Sequence, residues 1–543
     1  MATIISATFE RNTMYYIIGS GPAGVSCALG LLENGCDVTL IDAGNNLEFD
    51  RQFLIEEMAT LEPEEWPTSL KRDQRQHQTA RLSGVDLKLA YGSSYPYDIP
   101  KNWEKKPITI TKDSGLLPSY CKGGFSSVWG ASILPYTAAD TKEWPFPISE
   151  LSPHYKAILD WISFSACKDA LEDKFPLFST NYKNIGLSRQ AENIYTQMGK
   201  NRAALQEAGI FFGQSRLALQ QFEQNCRNCG SCMHGCPYGI IYSSMSSIKN
   251  LLKRFSNFDY CPGWIVETLK ESGNKVTINF ANAGPSVPSS VQASKVFIAA
   301  GVIPTAHLIL QSLGLENHTI KILDSQYFLM PILQKARYKN ISNDRLNTLS
   351  QIFIEIFDSE ISQNGIHLQL YSYNDLYWHP FSKFGALSPL ICSFAKPWVE
   401  RLNVIQGYLH SSDSGYLNLT LKKDSCSKQY FYLEGIQNKK SKIFIKKIQI
   451  KLKREEKKFG FSPMTPSKIL TSIGLPGRGF HAGGSFPMSN DPKLLECGRD
   501  GRLNGFRNVH LVDASILPSI PSTTITLSVM ANAHRIATEV AHS

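Results

Sequence analysis

Long hydrophobic runs are missing from this 543-residue sequence: no stretch of about 18 apolar residues occurs, so no membrane-spanning helix is predicted. Internal repeats and low-complexity tracts are also missing, which excludes solenoids and long disordered linkers. The first 16 residues have no basic segment followed by an apolar core, and therefore no secretory signal is predicted. Together these absences favour a globular protein that resides in the cytoplasm.

An overall excess of one charge sign is missing as well. The net charge of +9 comes almost entirely from residues 439–458, which hold ten Lys and Arg and two Glu, while the remaining chain has 46 basic and 45 acidic residues. This balance argues against a general nucleic-acid-binding protein. Four apolar residues of the basic stretch share one helical face, and they are Ile443, Phe444, Ile448 and Leu452. We expect a solvated helix here, with peripheral contact to an anionic membrane surface or an acidic partner as the alternative.

Cysteine, by contrast, is plentiful. A disulfide framework is not expected for the twelve cysteines, because no signal peptide is predicted. Four of them lie within eleven residues, in the pattern C-x2-C-x2-C-x3-C-P, and they are Cys226, Cys229, Cys232 and Cys236. This spacing favours an iron–sulfur cluster, while zinc and a group of thiols without metal are the alternatives.

Residues 14–42 predict a dinucleotide-binding unit. A short buried strand is followed by a glycine-rich turn, a helix and a second strand that finishes on Asp42. Gly19 permits a tight turn, Gly21 allows the backbone to approach a pyrophosphate, and Gly24 allows close packing of helix on strand. The carboxylate of Asp42 is placed to accept hydrogen bonds from a ribose. The motif by itself does not distinguish NAD from FAD.

Two further stretches predict backbone approach to a ligand. Gly123 and Gly124, followed by Ser126, indicate a loop that can press against a flat ring, although a buried tryptophan beside a tight turn is the alternative. Residues 295–315 predict a strand, a turn at Ala300 and Gly301, and a helix. Such a unit is either a second approach to the dinucleotide or an ordinary strand–helix pair.

The pattern changes between residues 321 and 469. Apolar residues alternate in residues 351–357, 366–371 and 416–421, which predicts antiparallel strands with one buried face. The opposite face carries larger and more polar side chains, namely Phe353, Glu355, Phe357, His367, Gln369 and Tyr371. The sequence supports a substrate cavity and a solvated sheet face equally at these positions.

The motifs, taken in chain order, resemble those of the glucose–methanol–choline (GMC) oxidoreductases, a family of FAD flavoproteins. The family has a glycine motif with a distal acid, a GG-x-S-x-x-W-G loop, an H-x-x-G-[TS]-x-x-M motif and a D-A-S motif before a final helix. The residues matched are Gly19, Gly21, Gly24 and Asp42; Gly123, Gly124, Ser126, Trp129 and Gly130; His481, Gly484, Ser485 and Met488; and Asp513, Ala514 and Ser515.

This resemblance implies FAD as the cofactor and a site that oxidises the CH–OH group of a sugar, polyol or other alcohol. It implies that His481 is the base that accepts the hydroxyl proton. The family usually has Asn or His as a second active-site residue, and that position is occupied here by Thr524. Ala300, Gly301, Asp513 and Ala514 are then expected beside the cofactor.

The cysteine run also resembles that of iron–sulfur-containing sugar dehydrogenases in this family, whose C-x5-C-x3-C spacing is met by Cys226, Cys232 and Cys236. The resemblance implies that electrons leave through a cluster to an acceptor protein or a quinone. Two alternatives remain open at this stage. One is a flavoprotein with chemistry other than alcohol oxidation, and the other is a flavin-containing electron-transfer partner.

The expected fold class is α/β, with a discontinuous FAD-binding domain built on a doubly wound parallel sheet. We assign residues 1–140, 225–320 and 470–543 to that domain. An inserted substrate domain with antiparallel sheet comprises residues 141–224 and 321–469.

Overall fold

The computed structural model describes residues 14–70, 81–82, 85–101, 103, 108–220, 226–378, 388–426, 429–464 and 470–543. Residues 1–13, which make up most of the segment expected to contain no secretory signal, lie outside this part. In chain order the strands are β1 (Met14–Ile18), β2 (Asp37–Asp42), β3 (Arg81–Leu82), β4 (Val85–Asp86), β5 (Thr109–Lys112), β6 (Phe164–Ser165), β7 (Tyr182–Lys183), β8 (Ile210–Gln214), β9 (Phe258–Pro262), β10 (Val266–Ser272), β11 (Lys275–Phe280), β12 (Ser290–Ala293), β13 (Lys295–Ile298), β14 (Thr319–Asp324), β15 (Tyr327–Gln334), β16 (Ile352–Ile356), β17 (Ile366–Tyr371), β18 (Leu402–Tyr408), β19 (Tyr416–Lys423), β20 (Gln429–Ile436), β21 (Phe461–Pro463), β22 (Ser472–Ile473), β23 (Ala482–Gly483) and β24 (Val509–Leu511).

The helices complete the secondary structure. The α-helices are α1 (Pro22–Glu33), α2 (Phe49–Thr60), α3 (Ser152–Ile162), α4 (Arg189–Lys200), α5 (Arg202–Glu207), α6 (Ser244–Arg254), α7 (Val302–Ser312), α8 (Ser388–Val399), α9 (Lys439–Arg454), α10 (Glu456–Phe459) and α11 (Thr526–Ala541). Short 3₁₀ turns occupy Tyr95–Tyr97, Gly124–Ser127, Ile148–Leu151, Ala170–Asp173, Ile341–Asn343, Asp375–Trp378, Ser411–Asp413 and Ala514–Ile516.

A five-stranded parallel sheet, in the order β24-β13-β1-β2-β9, collects strands from distant parts of the chain. The predicted strand–helix–strand unit at its centre is confirmed, with α1 beginning at Pro22, a residue suited to the first turn of a helix. Helix α1 packs closely on α11, since a Cβ added at Gly30 would lie 2.8 Å from the carbonyl oxygen of His534. Helices near the two ends of the described chain thus pack against each other.

Antiparallel sheets form the second part of the fold, and one of them has the order β21-β15-β18-β17-β16-β8. The predicted alternation is confirmed: isoleucines and leucines of β16 and β17 pack with α4 and α9 in one apolar cluster. The opposite face is not solvated, because Glu355, His367 and Gln369 are 2%, 0% and 2% exposed. The expected α/β fold class, with parallel and separate antiparallel sheets, is therefore confirmed.

Residues 49–60 form α2, a helix that the sequence analysis did not predict. Only Met58 of this helix is buried, and Phe49 and Phe53 are 84% and 63% exposed. A helix that buries a single residue has no apolar stripe, so the periodicity that would reveal it in a sequence is missing.

Helix α9 carries the basic stretch, and its apolar stripe differs by one residue from the predicted one. Ile448 and Leu452 are fully buried and Phe444 is half-buried, but Ile443 is 56% exposed. Lys451 is also buried, and its ammonium pairs with the carboxylate of Asp358. Within the described ranges no helix combines the length and apolar character needed to cross a membrane. Peripheral contact with a membrane surface stays a prediction.

Two isoleucines of α9 provide a matched stability test, because they are two positions apart and therefore lie on nearly opposite faces of the helix. Ile448 is fully buried and Ile450 is 58% exposed. We expect Ile448→Ala to lower the free energy of unfolding by about 2–5 kcal/mol, because it leaves a cavity in the core. Ile450→Ala should change it by about 0.5 kcal/mol or less. Urea denaturation followed by circular dichroism measures both, and equal effects would contradict the assigned helix orientation.

Candidate active site

One elongated cavity of about 940 Å³ runs along the edge where the parallel strands end. Residues directly after β1, β2, β13 and β24 line it, together with residues from the antiparallel sheet. In open parallel sheets ligands bind at the carboxyl ends of the strands, and this cavity occupies that position.

The three predicted glycines act differently. Gly19 has a φ of +105°, and a Cβ there would lie 2.4 Å from the carbonyl oxygen of Ala299. Gly24 must remain small because a Cβ would lie 1.9 Å from the carbonyl oxygen of Gly19. Gly21 has no protein atom within 4 Å of an added Cβ and lines the cavity. Two glycines therefore shape the turn, and the third leaves room for a ligand.

Asp42 lies on the cavity wall and is held by two hydroxyl groups. Ser20 donates a hydrogen bond to one carboxylate oxygen, and Tyr260 donates to the other over 2.9 Å. Burial raises the pKa of Asp42 to about 6, against the lowering effect of these hydrogen bonds. Each carboxylate oxygen keeps a further lone pair for a ligand hydroxyl.

The Gly123–Gly124 loop packs directly on the glycine turn. Gly123 donates its N–H to the hydroxyl of Ser20 over 2.9 Å, and a Cβ at Gly124 would lie 3.3 Å from the Cα of Gly21. Ser126 lines the cavity, but its hydroxyl donates to the carbonyl of Gly123 over 2.5 Å. Ser126 therefore braces the loop through its side chain. Gly124, Ser126 and Gly130 line the cavity, whereas Gly123 is not among the lining residues.

Asp513 joins the last parallel strand to the turn after β13. Its carboxylate accepts hydrogen bonds from the N–H of Gly301 over 2.8 Å, the hydroxyl of Thr305 over 2.6 Å and the N–H of Ser515 over 2.9 Å. The cavity is lined by the four residues predicted to lie beside a cofactor, namely Ala300, Gly301, Asp513 and Ala514. Asp513 thus holds the cavity wall in place.

His481 lies on the same cavity wall, at the side formed by the antiparallel sheet. The ring of Tyr408 stacks on it, with 4.4 Å between centroids and 16° between planes. Burial, and to a smaller extent the nearby His367, lower the pKa of His481 to about 3. The ring is therefore neutral at pH 7. Its Nδ1 atom is buried and has no hydrogen-bond partner among the described residues.

Thr524 is the second predicted catalytic residue, and it also lines the cavity. It is 2% exposed, and its hydroxyl oxygen accepts the N–H of Leu134 over 2.8 Å. A hydroxyl that accepts one hydrogen bond still has its own proton to donate. The structure thus brings Thr524 and His481 to one cavity, although they are 43 positions apart in the chain.

Of the side chains that the sequence offered as a cavity lining on the antiparallel sheet, Gln369 and Tyr371 line the cavity, but three others on this sheet were not identified from the sequence. Tyr327, Gln406 and Tyr408 line the cavity beside His481. Gln406 and Tyr408 share the face of β18 that Gln369 and His367 occupy on β17, as the strand register shows. The period-two pattern of β18 carries this signal, but a sequence does not show which strands are neighbours.

The four clustered cysteines lie next to the cavity, which Met233 and His234 of their loop reach. Burial raises the pKa of Cys232 to about 12, and proximity to Cys229 and Cys236 contributes. The thiols are thus close enough to interact. However, in the part of the chain that the structure describes, no three or more Cys, His, Asp or Glu side chains are arranged to hold a metal ion. This arrangement does not fit an iron–sulfur cluster, whose presence stays a prediction.

An extended dinucleotide fits the main cavity. The open side of Gly21 and the lone pairs of Asp42 lie at the glycine turn, where a pyrophosphate and a ribose are expected. Gly301 likewise has no protein atom within 4 Å of an added Cβ. The cavity continues from there to His481, so a ring system can reach the antiparallel sheet.

Comparison with known proteins agrees with this arrangement. Residues 451–533, which include His481, Asp513 and Thr524, match the model of a protein family described as GMC oxidoreductase. The chain carries a GMC oxidoreductase domain. The resemblance to GMC oxidoreductases is confirmed, and so is the prediction of an FAD-dependent oxidoreductase enzyme. The iron–sulfur subgroup stays a prediction.

Solved structures share the fold over nearly the whole chain. Pyridoxine 4-oxidase from Mesorbium loti superposes with a TM-score of 0.58 at 14% identity, covering 98% of this chain and 100% of the other. An FAD-dependent oxidoreductase from Chaetomium thermophilum superposes with a TM-score of 0.57 at 12% identity, covering 97% and 99%. At these identities the likeness establishes the fold. None of the curated proteins searched matches the sequence.

Proposed function

We propose that this GMC oxidoreductase oxidises the CH–OH group of a sugar, polyol or other alcohol, with His481 as the base. The observation that carries the proposal is the placement of a neutral, buried imidazole on the wall of the cavity that begins at the dinucleotide turn. FAD, when bound, supplies a two-electron acceptor for the hydride that leaves the alcohol carbon.

His481 lies on the cavity wall as a neutral imidazole that can accept a proton. An alcohol is a poor hydride donor until its O–H bond is weakened, so a base must accept that proton. In the tautomer protonated at Nδ1, the lone pair of Nε2 is available to accept the hydroxyl proton of the substrate. The low pKa keeps this lone pair free at pH 7.

Two neighbours position His481. Tyr408 stacks along the ring and fixes its plane. The backbone N–H of Ser325 donates to the carbonyl of His481 over 3.0 Å and fixes its main chain. Thr524 can donate its hydroxyl proton to the substrate oxygen, which would hold that oxygen in place while the O–H bond breaks.

Electron transfer to an acceptor protein or quinone through a cluster at Cys226, Cys229, Cys232 and Cys236 stays a prediction. Iron and acid-labile sulfide should be measured in protein purified without oxygen. Stoichiometric iron that is lost in Cys232→Ser would confirm the cluster, and iron-free wild-type protein would show that it is wrong.

The proposed function is tested by mixing the FAD-loaded protein anaerobically with a panel of sugars, polyols and simple alcohols. We expect at least one of them to bleach the flavin absorbance and to yield the matching aldehyde, ketone or lactone. If no alcohol bleaches the flavin, oxidation of CH–OH groups is wrong for this protein.

A further inference from the structure

A buried hydrogen-bond chain lies behind the cavity, and the proposed reaction does not use it. Tyr371 donates its hydroxyl to Oε1 of Gln369 over 2.9 Å, and Nε2 of Gln369 lies 3.0 Å from Nε2 of His367. Nδ1 of His367 lies 2.6 Å from a carboxylate oxygen of Glu355. Glu355, His367 and Gln369 are at most 3% exposed. Such a buried chain is expensive to build unless each member is paired.

The carboxylate of Glu355, together with the amide nitrogen of Gln369 that faces His367, fixes the direction of the hydrogen bonds in this chain. Glu355 can only accept, so His367 donates from Nδ1 and its Nε2 keeps a lone pair. That lone pair accepts an N–H of Gln369, which turns the amide oxygen toward Tyr371. The buried guanidinium of Arg216 interacts electrostatically with Glu355.

The consequence appears at the cavity wall. The hydroxyl proton of Tyr371 is committed to Gln369, and Ser132 also hydrogen-bonds to this hydroxyl, so toward the cavity it offers only its remaining lone pair. Its oxygen lies beside the GMC flavin loop, since a Cβ added at Gly130 would be 3.5 Å from it. Tyr371 and Gln369 both line the cavity that contains His481.

We propose that Glu355, His367 and Gln369 are positioning residues that make Tyr371 a hydrogen-bond acceptor, and that the site thereby selects alcohols with a second hydroxyl group on the neighbouring carbon. This inference rests on the proposed function. A second hydroxyl donates to the remaining lone pair of Tyr371, a hydrogen leaves that lone pair without a donor, and an ether oxygen faces it with lone pairs of its own.

Three small probes differ only at the neighbouring carbon: 1,2-propanediol, 1-propanol and 2-methoxy-1-propanol. For the wild-type, FAD-loaded protein we expect kcat/KM to be about 10–100-fold higher for the diol than for the other two alcohols. This difference is the penalty expected when a buried acceptor receives no hydrogen bond from the substrate. Tyr371→Phe should reduce the preference of the diol over 1-propanol to about twofold or less.

Glu355→Gln gives the sharper test. The new amide can either accept from Nδ1 of His367 or donate to it, so the direction of the hydrogen bonds along the chain is no longer fixed and Tyr371 can also donate into the cavity. We expect the preference for the diol over 2-methoxy-1-propanol to fall at least about tenfold, while both substrates still react. Glu434→Gln, an amide substitution at a half-buried ion pair with Lys112 in another sheet, should leave the ratio unchanged.

The outcomes separate the two proposals. If none of the probes bleaches the flavin, alcohol oxidation and this inference both fail. If wild-type protein oxidises all three equally well, or if Glu355→Gln and Tyr371→Phe lower every kcat/KM by the same factor, alcohol oxidation stands and the selection by Tyr371 is wrong. FAD content measured for each variant confirms folding, and the ratio between substrates is insensitive to a general loss of active protein.

Discussion

Gly21→Val is expected to fold normally and to lose its FAD. Glycine is not required at this position by the backbone, whose φ of −66° suits any residue. An added Cβ would have no protein atom within 4 Å, so the valine side chain would occupy space in the cavity that the cofactor needs. We expect the affinity for FAD to fall about 100-fold or more, which corresponds to about 2.8 kcal/mol.

Gly199→Val is the matched control for this substitution. Gly199 has no protein atom within 4 Å of an added Cβ and lies in α4, outside the cavity lining. Titration of each apoprotein with FAD, followed by fluorescence quenching, gives both affinities, and circular dichroism checks the fold. Wild-type affinity in Gly21→Val would contradict the assignment of this turn to the dinucleotide.

His481→Asn is expected to lower kcat about 10²–10⁴-fold with FAD still bound. Asparagine keeps a polar side chain of similar reach, but it has no imidazole lone pair to accept the hydroxyl proton. The range is what removal of a general base typically costs. The measurement is the rate of flavin reduction by the alcohol that reacts with the wild-type protein.

A second histidine provides the control. His154 lies outside the cavity lining and pairs with His534 over 2.8 Å, and burial lowers its pKa to about 4, so it too is neutral at pH 7. His154→Gln should change the reduction rate by about threefold or less. Equal losses in the two variants would show that His481 acts through stability and not as a base.

The nucleotide half of the site could be predicted because its constraints are local. Gly19, Gly21 and Gly24 fall in one turn, and Asp42 ends the next strand, so spacing in the sequence carries the geometry. The position of His481 was predicted from its motif. The sequence pattern of Ile352, Ile354 and Ile356 likewise gave the correct buried face of β16.

The substrate half could not be predicted in the same way. The wall beside His481 is made by strands whose neighbours are set by tertiary structure, such as the pairing of Gln369 with Gln406 and of His367 with Tyr408. The alternation of apolar and polar residues showed which residues share a face of the sheet, but it did not show which other residues that face contacts. Helix α2 was missed for the opposite reason, since it buries only Met58 and has no periodic pattern.

The iron–sulfur prediction shows a third limit. The spacing of Cys226, Cys229, Cys232 and Cys236 gives the order of four thiols along the chain, but a cluster also requires their side chains to converge on one point. In the part of the chain that the structure describes, they do not form such a group. Spacing alone therefore does not decide whether these residues bind metal.

In the proposed reaction His481 accepts the hydroxyl proton of an alcohol, and bound FAD would accept the hydride from the alcohol carbon. The most direct test is the anaerobic rate of flavin bleaching with a reactive alcohol carrying either hydrogen or deuterium at the oxidised carbon. We predict a several-fold slower reaction with deuterium in the wild-type protein and a reaction at least about 100-fold slower in His481→Asn. Bleaching that is insensitive to deuterium, or as fast in His481→Asn as in wild type, would contradict the account.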